Sequence, residues 1–335
     1  MRAGYLVPTP SPPRRPNFRQ HDGSVWTRIW AVAEPTIDRR PPMSGATRLA
    51  AVIGDPVRHS LSPTLLGAAF AETGLDWTYV ALEVADGSAR GALDGMRALG
   101  ISGLSVTMPH KAAVAAEVDR CTDDATALGA VNCVVVEEGQ LVGYNTDGEG
   151  FLDGLAHDSG MDVTGRRVVV LGAGGAARAV VQALAGAGAS EVVVANRTLA
   201  RAEEAAAMAG SAGRALELSL GHPGGRLEGA LADALGDAEL VVNATSVGMG
   251  GSSEMSTIDL PVDPALIGAG SVVVDLIYHP AETALMAAMR IRGIEAYGGL
   301  SMLVCQAARA FTLWTGVEAP LLAMHTAAQA SLASR

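Results

Sequence analysis

The sequence predicts an α/β protein with two domains, and three observations support that fold class. The chain has 335 residues, which is long enough for two domains that each bury a core of their own. Apolar strand candidates alternate with helical stretches in two successive series, a rhythm typical of parallel sheets with crossover helices. The second series opens on a strand that runs directly into a glycine-rich turn, as the first unit of a doubly wound sheet does.

Residues 1–46 differ in composition from the rest of the chain. They contain seven arginines against three acidic residues, several prolines and no hydrophobic periodicity. No apolar segment among them is long enough for the core of a signal peptide. We expect a disordered extension here, or a chain whose natural start is Met43. A transit-like or nucleic-acid-binding arm is an alternative that rests on composition alone.

The first series of elements follows this extension. Its short apolar runs predict strands at Leu49–Ile53, Trp77–Val84 and Leu104–Val106. Helical stretches between them are Pro63–Thr73 and Ser88–Leu99. A hairpin is expected next, with the polar turn Glu137–Gln140 between the strands Val131–Val136 and Leu141–Tyr144.

The second series is more regular and predicts a parallel sheet. Its buried strands are expected at Arg167–Leu171, Glu191–Ala195, Leu240–Asn243 and Val272–Leu276. Its helices are expected at Gly175–Ala187, Leu199–Ala209 and Thr283–Arg292. Two further helices, Met302–Leu313 and Pro320–Ala333, are expected to end the chain.

Composition argues against several functional classes. The net charge is −11 and the acidic excess is spread along the chain, so no basic face for nucleic acid is expected. The longest apolar stretch is interrupted by Arg178 and Gln182, which makes it too short to span a membrane. The histidines lack metal-ligand spacing, so we expect no metal. An odd number of cysteines without a CxxC pair indicates a reducing cytoplasm; they are Cys121, Cys133 and Cys305.

The glycine-rich turn predicts a dinucleotide site on a Rossmann unit. Gly172, Gly174 and Ala177 match the GxGxxG/A pattern between a strand and a helix. Gly172 permits a tight turn, Gly174 lets the backbone approach a pyrophosphate, and Ala177 lets the helix pack closely on the strand. Helix amides then face the phosphates. The predicted binding residues of this turn are Gly172, Ala173, Gly174, Gly175 and Ala176.

The end of the next strand favours NADP over NAD. An NAD site places an acidic residue there to hold the ribose hydroxyl. This chain has Asn196, Arg197 and Thr198 instead, with Arg201 one turn further on. The two guanidinium groups can neutralise a 2′-phosphate. In the alternative interpretation, Thr198 caps the following helix and Arg197 is a solvated surface charge.

Lysine usage singles out one residue. Arginine occurs 23 times and lysine once, at Lys111. An ammonium group that gives up a proton cannot be replaced by a guanidinium group, which stays charged. Lys111 is therefore a candidate for proton transfer, although one lysine can also survive by chance.

Four polar clusters lie outside the glycine turn, at residues 59–63, 105–111, 129–133 and 143–147. In the first, Ser62 precedes Pro63 at the start of a predicted helix, so Ser62 can cap that helix or hold a substrate carboxylate. In the last, Asp147 can cap the helix that follows or take part in chemistry. These residues alone leave both choices open.

Together these clusters resemble the shikimate dehydrogenase family, in order and from about residue 48 to the end of the chain. The resemblance includes the glycine turn and Asn196-Arg197-Thr198. It also includes the stretches 242–249 (VNATSVGM), 274–280 (VDLIYHP) and 298–307 (GGLSMLVCQA).

The resemblance implies a reversible NADPH-dependent reduction of 3-dehydroshikimate to shikimate, a cyclic hydroxy acid of aromatic amino acid biosynthesis. It implies a substrate-binding domain of residues 47–147 plus 300–335 and an NADP-binding Rossmann domain of residues 148–299. Lys111 and Asp147 would form the catalytic pair, and Thr245 and Gly299 would join the cofactor site. The implied substrate-binding residues are Ser60, Ser62, Thr107, Asn132, Tyr278 and Gln306.

The chain also departs from the family pattern. Ser105 stands where the motif usually has Asn, Cys133 where Thr is common, and Leu66-Gly67 where a His-Asn pair is usual. These departures leave quinate or an aminoshikimate open as substrate. A non-catalytic dinucleotide-binding regulatory homologue is a further alternative, although Lys111 and Asp147 both remain. Either a monomer or a homodimer is expected.

Overall fold

The computed structural model describes residues 38–218, 229–249 and 260–334. Most of the predicted extension over residues 1–46 therefore lies outside the described residues. Its last part, residues 38–46, contains no helix or strand. The amide of Arg39 donates to the carbonyl of Ala71 at 3.0 Å, which ties this part to the first half of the chain.

The first half of the chain forms a mixed six-stranded sheet. Its strands are β1 (Arg48–Gly54), β2 (Trp77–Glu83), β3 (Gly103–Val106), β4 (Arg120–Cys121), β5 (Cys133–Glu137) and β6 (Gln140–Tyr144). Their spatial order is β2-β1-β3-β5-β6-β4. β1 is parallel to β2 and β3, whereas β5 is antiparallel to both β3 and β6. The hairpin of β5 and β6 thus reverses the chain after three parallel strands.

Helices cover both faces of this sheet. They are α1 (Ser62–Thr73), α2 (Ala89–Leu99), α3 (Lys111–Glu117) and α4 (Asp123–Leu128). α1 packs its Leu65 and Phe70 on one face, while Leu93 of α2 and Val114 of α3 pack on the other. The next helix, α5 (Asp147–Ser159), leads from this sheet to the second half.

The second half forms a fully parallel six-stranded sheet. Its strands are β7 (Arg167–Leu171), β8 (Glu191–Asn196), β9 (Gly213–Glu217), β10 (Leu240–Asn243), β11 (Val272–Asp275) and β12 (Glu295–Gly298). The order β12-β11-β10-β7-β8-β9 is that of a doubly wound sheet. Its helices are α6 (Gly175–Gly186), α7 (Leu199–Ala206), α8 (Ala230–Asp237) and α9 (Ala284–Ile291).

The last two helices return to the first sheet. They are α10 (Leu300–Thr315) and α11 (Leu321–Ala333). The rings of Phe311 in α10 and Phe70 in α1 have centroids 5.3 Å apart, and the indole of Trp314 donates to the carbonyl of Val134 at 3.0 Å. The end of the chain therefore completes the core of the first sheet.

Close packing of α5 against α10 connects the two halves. A Cβ added at Gly150 would lie 2.7 Å from the backbone nitrogen of Gln306, so no larger residue fits there without movement. Arg309 in α10 donates two hydrogen bonds to Asp153 in α5, at 2.6 and 2.9 Å. α5 is thereby fixed against α10.

The α/β class and the alternation of elements are confirmed, with local corrections. Ser62 is not a helix cap: Leu61 occupies that position and Ser62 is already the first helical residue. No bounds were expected for the short elements β4, β9, β12, α3, α4 and α8, or for the 13-residue helix α5. No helix in the described ranges is long and apolar enough to cross a membrane.

Candidate active site

The polar clusters of the first half meet at one edge of the first sheet. β1 and β3 are parallel, so the loops after Gly54 and Val106 leave from the same edge. β5 is antiparallel to β3, so Asn132, just before β5, lies at this edge as well. The segment after Tyr144 also starts here, because β6 is antiparallel to β5. Topology therefore gathers residues that are distant in sequence.

Lys111 and Asp147 form an ion pair at this edge. Nζ of Lys111 donates to Oδ2 of Asp147 at 2.5 Å. Each residue is the first of a helix, Lys111 in α3 and Asp147 in α5. The side chain of Lys111 is 25% exposed and that of Asp147 only 10%. A ligand can therefore reach the lysine side chain while the carboxylate stays almost covered.

Hydrogen bonds fix the carboxylate of Asp147 in one orientation. Its second oxygen, Oδ1, accepts from Nδ2 of Asn132 at 2.7 Å. Oδ1 of Asn132 in turn accepts the amide of Thr146 at 2.8 Å. The amide of Asp147 donates to Oδ1 of Asn145 at 3.1 Å. Because each carboxylate oxygen has its own donor, Oδ2 remains directed at Lys111.

Two side chains that position this pair were missed by the sequence analysis. Oγ1 of buried Thr146 donates to the backbone carbonyl of Gln306 at 3.1 Å, which connects the pair to α10. Buried His110 donates from Nε2 to the carbonyl of Val84 at 2.7 Å and fixes the residue before Lys111. In the sequence they are marked only by their positions in the polar clusters, His110 in residues 105–111 and Thr146 in residues 143–147.

Ser60, Ser62 and Thr107 lie on adjoining loops at the same edge. Oγ of Ser60 accepts the amide of Ser62 at 3.2 Å, and Ser62 is 9% exposed at the start of α1. Thr107 follows β3, is half-buried, and donates its amide to the carbonyl of Ile53 at 2.9 Å. These residues thus form a second polar group at this edge of the sheet.

Gln306 and Tyr278 reach the first sheet from elsewhere in the chain. The amide group of Gln306 donates to the carbonyl of Leu303 at 2.8 Å, so this side chain lies along its own helix. Only the backbone carbonyl of Gln306 joins the hydrogen bonds around Asp147, through Thr146. Tyr278 follows β11 and packs against the apolar core between the first sheet and α1.

The glycine turn lies between β7 and α6. Gly172 has a φ of 102°, which residues with a side chain rarely adopt. A Cβ there would lie 2.9 Å from the carbonyl oxygen of Ala244 and 3.2 Å from Cγ2 of Thr245. Gly174 and Gly175 are exposed, and a Cβ on either would meet nothing within 4 Å. Ala173 and Ala176, also predicted for this site, are half-buried beside them.

A buried polar network holds Thr245 next to this turn. Oγ1 of Thr245 donates to Oδ1 of Asn243 at 2.7 Å, and Nδ2 of Asn243 donates to Oδ1 of Asp275 at 2.9 Å. Burial raises the pKa of Asp275, and the hydroxyl of Thr283 partly opposes this by donating to Oδ2 at 2.7 Å. The network joins the carboxyl ends of β10 and β11.

Asn196 ends β8, one strand away from the glycine turn. Its Nδ2 donates to the carbonyl of Thr198 at 3.0 Å, which shapes the loop into α7. Thr198 is at the cap position of α7 but its side chain makes no capping hydrogen bond. Arg197 and Arg201 are both exposed.

Gly299 lies where β12 leads into α10. Its amide donates to the carbonyl of Ile277 at 3.0 Å, and a Cβ there would overlap the backbone of Leu276. Gly299 is buried, so it does not form an open surface as Gly174 and Gly175 do. The described contacts place it beside the end of β11.

The fold and these two edges define a class: a two-domain α/β oxidoreductase with a doubly wound dinucleotide-binding sheet and a lysine–aspartate pair. Three family models match the chain. They are the shikimate dehydrogenase substrate binding domain over residues 52–134, shikimate / quinate 5-dehydrogenase over residues 154–247, and the shikimate 5'-dehydrogenase C-terminal domain over residues 299–329.

Known relatives agree with these models over nearly their whole length. The chain is 45% identical to the shikimate dehydrogenase (NADP(+)) of Moorella thermoacetica, covering 84% of this chain and 92% of that protein. A shikimate dehydrogenase crystallised with NADP+ matches with a TM-score of 0.77 and 35% identity, over 87% of this chain and 98% of that one. The Thermus thermophilus enzyme in complex with NADP(H) and shikimate matches with a TM-score of 0.74 and 36% identity, over 85% and 100%.

The chain belongs to the shikimate dehydrogenase family. The fold class predicted from the sequence and the family resemblance are both confirmed.

Proposed function

We propose that the protein catalyses the reversible NADPH-dependent reduction of 3-dehydroshikimate to shikimate. The observation that carries this proposal is the 2.5 Å contact between Nζ of Lys111 and Oδ2 of Asp147 at the polar edge of the first sheet. A hydroxyl-bearing carbon is formed from a carbonyl group by adding a hydride to carbon and a proton to oxygen. This ion pair is suited to the second task.

The second domain fits NADP, and we assign residues 148–299 to its binding. The amides at the start of α6 and the exposed, side-chain-free surface of Gly174 and Gly175 suit a pyrophosphate. Exposed Arg197 and Arg201 suit the 2′-phosphate, with no acidic residue in the segment 196–201 to repel it. The remaining proposed cofactor residues are Gly172, Ala173, Ala176, Asn196, Thr198, Thr245 and Gly299.

The first domain binds the substrate in this proposal, with residues 47–147 completed by residues 300–335. Ser60 and Ser62 hold the carboxylate. Thr107, Asn132 and Gln306 bind or place the ring hydroxyls, and Tyr278 lies near the carboxylate. One N–H of the Gln306 amide donates to the carbonyl of Leu303 at 2.8 Å, so this role falls to its second N–H and to Oε1.

Proton transfer falls to Lys111. When bound, NADPH supplies the hydride to the carbonyl carbon of the substrate. The carbonyl oxygen then gains negative charge, and an N–H of the Lys111 ammonium group donates its proton to it. One of the three ammonium protons is engaged by Asp147, so two remain for the substrate. Asp147 is held by Asn132 and keeps the ammonium group in place.

A cytoplasmic location and the absence of a nucleic-acid partner are part of this proposal. All three cysteines lie in the described ranges and are unpaired, as is usual in a reducing compartment. The proposal holds for a monomer or a homodimer, because the residues assigned to both sites come from one chain.

A substrate panel tests the proposal. Purified protein is assayed for NADPH oxidation with 3-dehydroshikimate, 3-dehydroquinate and the amino analogue of 3-dehydroshikimate, each repeated with NADH. We expect the highest kcat/KM for 3-dehydroshikimate with NADPH. A higher value for 3-dehydroquinate or the amino analogue would assign the chain to a different substrate. No turnover of any panel member would contradict an enzymatic role.

A further inference from the structure

Tyr79 has a buried hydroxyl group that the proposed mechanism does not use. The residue lies in the middle of β2 and is 7% exposed. Its ring packs in the apolar core of the first sheet, with its centroid 6.0 Å from that of Trp314. Within the described residues its hydroxyl has no hydrogen-bond partner. Burial of an unpaired hydroxyl is unfavourable, and phenylalanine would fill the same space without that cost.

The hydroxyl of Tyr79 is near two serine hydroxyls at the polar edge. Burial raises the pKa of Tyr79, and the neighbouring hydroxyls of Ser105 and Ser62 partly oppose this rise. Neither serine completes a hydrogen bond of ordinary geometry with it. The three residues come from β2, β3 and the start of α1, and we refer to Tyr79, Ser105 and Ser62 as the hydroxyl cluster.

Strand register explains why these groups meet. Tyr79 is paired with Ala50, and Ser105 is paired with Val52 on one side and Cys133 on the other. Ala50 and Val52 are two residues apart on β1, so Tyr79 and Ser105 share a face of the sheet. That face is otherwise lined by apolar residues and Cys133, and it is covered by α1, which begins at Ser62. The hydroxyl cluster is thus a small polar group at one end of an otherwise apolar core.

We propose that Tyr79 is a positioning residue for recognition of the substrate carboxylate. In the substrate complex, the hydroxyl of Ser105 donates to Oη of Tyr79, Tyr79 donates to Oγ of Ser62, and Ser62 donates to the carboxylate. Because Oγ of Ser62 then accepts from Tyr79, the hydroxyl proton of Ser62 can donate only toward the carboxylate. It also strengthens each bond, since hydrogen bonds in a chain polarise one another. The inference rests on the proposed function, because it takes Ser62 as a carboxylate ligand.

Removing only the hydroxyl tests this chain of hydrogen bonds. For Tyr79→Phe we expect the KM for 3-dehydroshikimate to rise about 5- to 10-fold, the equivalent of one hydrogen bond, while kcat is retained. We expect Tm to stay the same or rise, because the variant no longer buries an unpaired hydroxyl. With an analogue of 3-dehydroshikimate in which hydrogen replaces the carboxylate, no acceptor remains for Ser62, so wild type and variant should have equal KM values.

Ser105→Ala provides an independent variant that leaves the aromatic packing intact. It removes the first donor of the chain, so KM should rise with little change in kcat. Tyr144→Phe is the matched control: Tyr144 packs against the same core, but its hydroxyl donates to Glu137 at the hairpin. Its KM should equal that of the wild type.

The possible outcomes separate this inference from the proposed function. Active wild type together with an unchanged KM in both Tyr79→Phe and Ser105→Ala would overturn the inference alone. A KM rise for Tyr79→Phe that is equally large with the analogue in which hydrogen replaces the carboxylate would also overturn it, because the effect would not depend on the carboxylate. Wild-type protein without activity on 3-dehydroshikimate would overturn the proposed function and this inference together.

Discussion

The two sheets organise their polar edges in different ways. At the edge of the mixed first sheet, side chains hold one another: Lys111 contacts Asp147, which contacts Asn132, which contacts Thr146. At the edge of the parallel second sheet, the network around Asn243 supports the glycine turn, while the turn itself presents backbone without side chains at Gly174 and Gly175. The side chains of the first edge are therefore already hydrogen-bonded in the absence of a ligand. The glycine turn of the second edge instead offers backbone amides and space for a ligand.

The difference follows from the chemistry each edge has to support. A proton donor must be held in a fixed direction, and this requires a partner for every polar atom around it. A pyrophosphate is held by several amides at once, which requires close approach of the backbone. Removing a polar atom should therefore be most harmful at the first edge. Adding a carbon atom should be most harmful at the second.

The largest effect is expected for Asp147→Asn. The amide removes the negative charge that holds the Lys111 ammonium group and places a donor where Oδ1 or Oδ2 now accepts from Asn132 or Lys111. We expect kcat to fall by about 10²- to 10⁴-fold, the range for a positioned proton donor, because Lys111 would no longer be held in place to donate its proton. Steady-state NADPH oxidation measures this, with circular dichroism to show that the variant is folded.

Asp124→Asn is the control for this change. Asp124 is also in the first turn of a helix, α4, but it is exposed. It should retain wild-type turnover. A folded Asp147→Asn variant with near-normal kcat would show that the Lys111–Asp147 pair is not needed for catalysis.

The next effect concerns Gly172→Ala. The added Cβ would lie 2.9 Å from the carbonyl oxygen of Ala244, and the φ of 102° is unfavourable for alanine. We expect a loss of unfolding free energy of about 1–3 kcal/mol and an increase in KM for NADPH. Chemical denaturation and a cofactor titration measure the two effects.

Gly186→Ala, at the other end of α6, is the matched control. A Cβ there meets nothing within 4 Å, and alanine favours the helix. This variant should be as stable as the wild type or slightly more so. Equal behaviour of the two variants would show that the turn tolerates an extra carbon.

The regular part of the fold could be predicted from the sequence because its signal is local. The four central strands of the second sheet, β7, β8, β10 and β11, contain buried runs of valine. Of these, β7 and β10 have the bounds expected for them. The elements β4 and α4, with two and six residues, are too short to carry a periodic pattern. Ser62 has the residue type of a cap, but the helix starts one residue earlier than its type suggests.

The site could be predicted only in part for a similar reason. The clusters around Lys111 and Asp147 stand out because polar residues follow apolar strands. Tyr79 does not stand out, since it lies inside an apolar strand and its hydroxyl reaches the polar edge only through the folded sheet. Contacts such as that of Thr146 with Gln306 join residues that no local pattern relates.

The smallest effect is expected for Arg197→Gln. This variant tests whether a side chain at the edge of the second sheet affects cofactor choice without affecting turnover. Arg197 is exposed just after β8, so the contact proposed for it with a 2′-phosphate would be screened by solvent. We expect the preference for NADPH over NADH, as a ratio of kcat/KM values, to fall about 5- to 10-fold with kcat unchanged. Arg290→Gln, which removes an exposed arginine of α9 that pairs with Glu282, should leave the ratio as it is.

An unchanged ratio in Arg197→Gln would mean that Arg201 or the backbone around Asn196, rather than Arg197, discriminates between the cofactors. A large loss of kcat would mean that the edge of the second sheet, like that of the first, is built from side chains that orient the reacting groups.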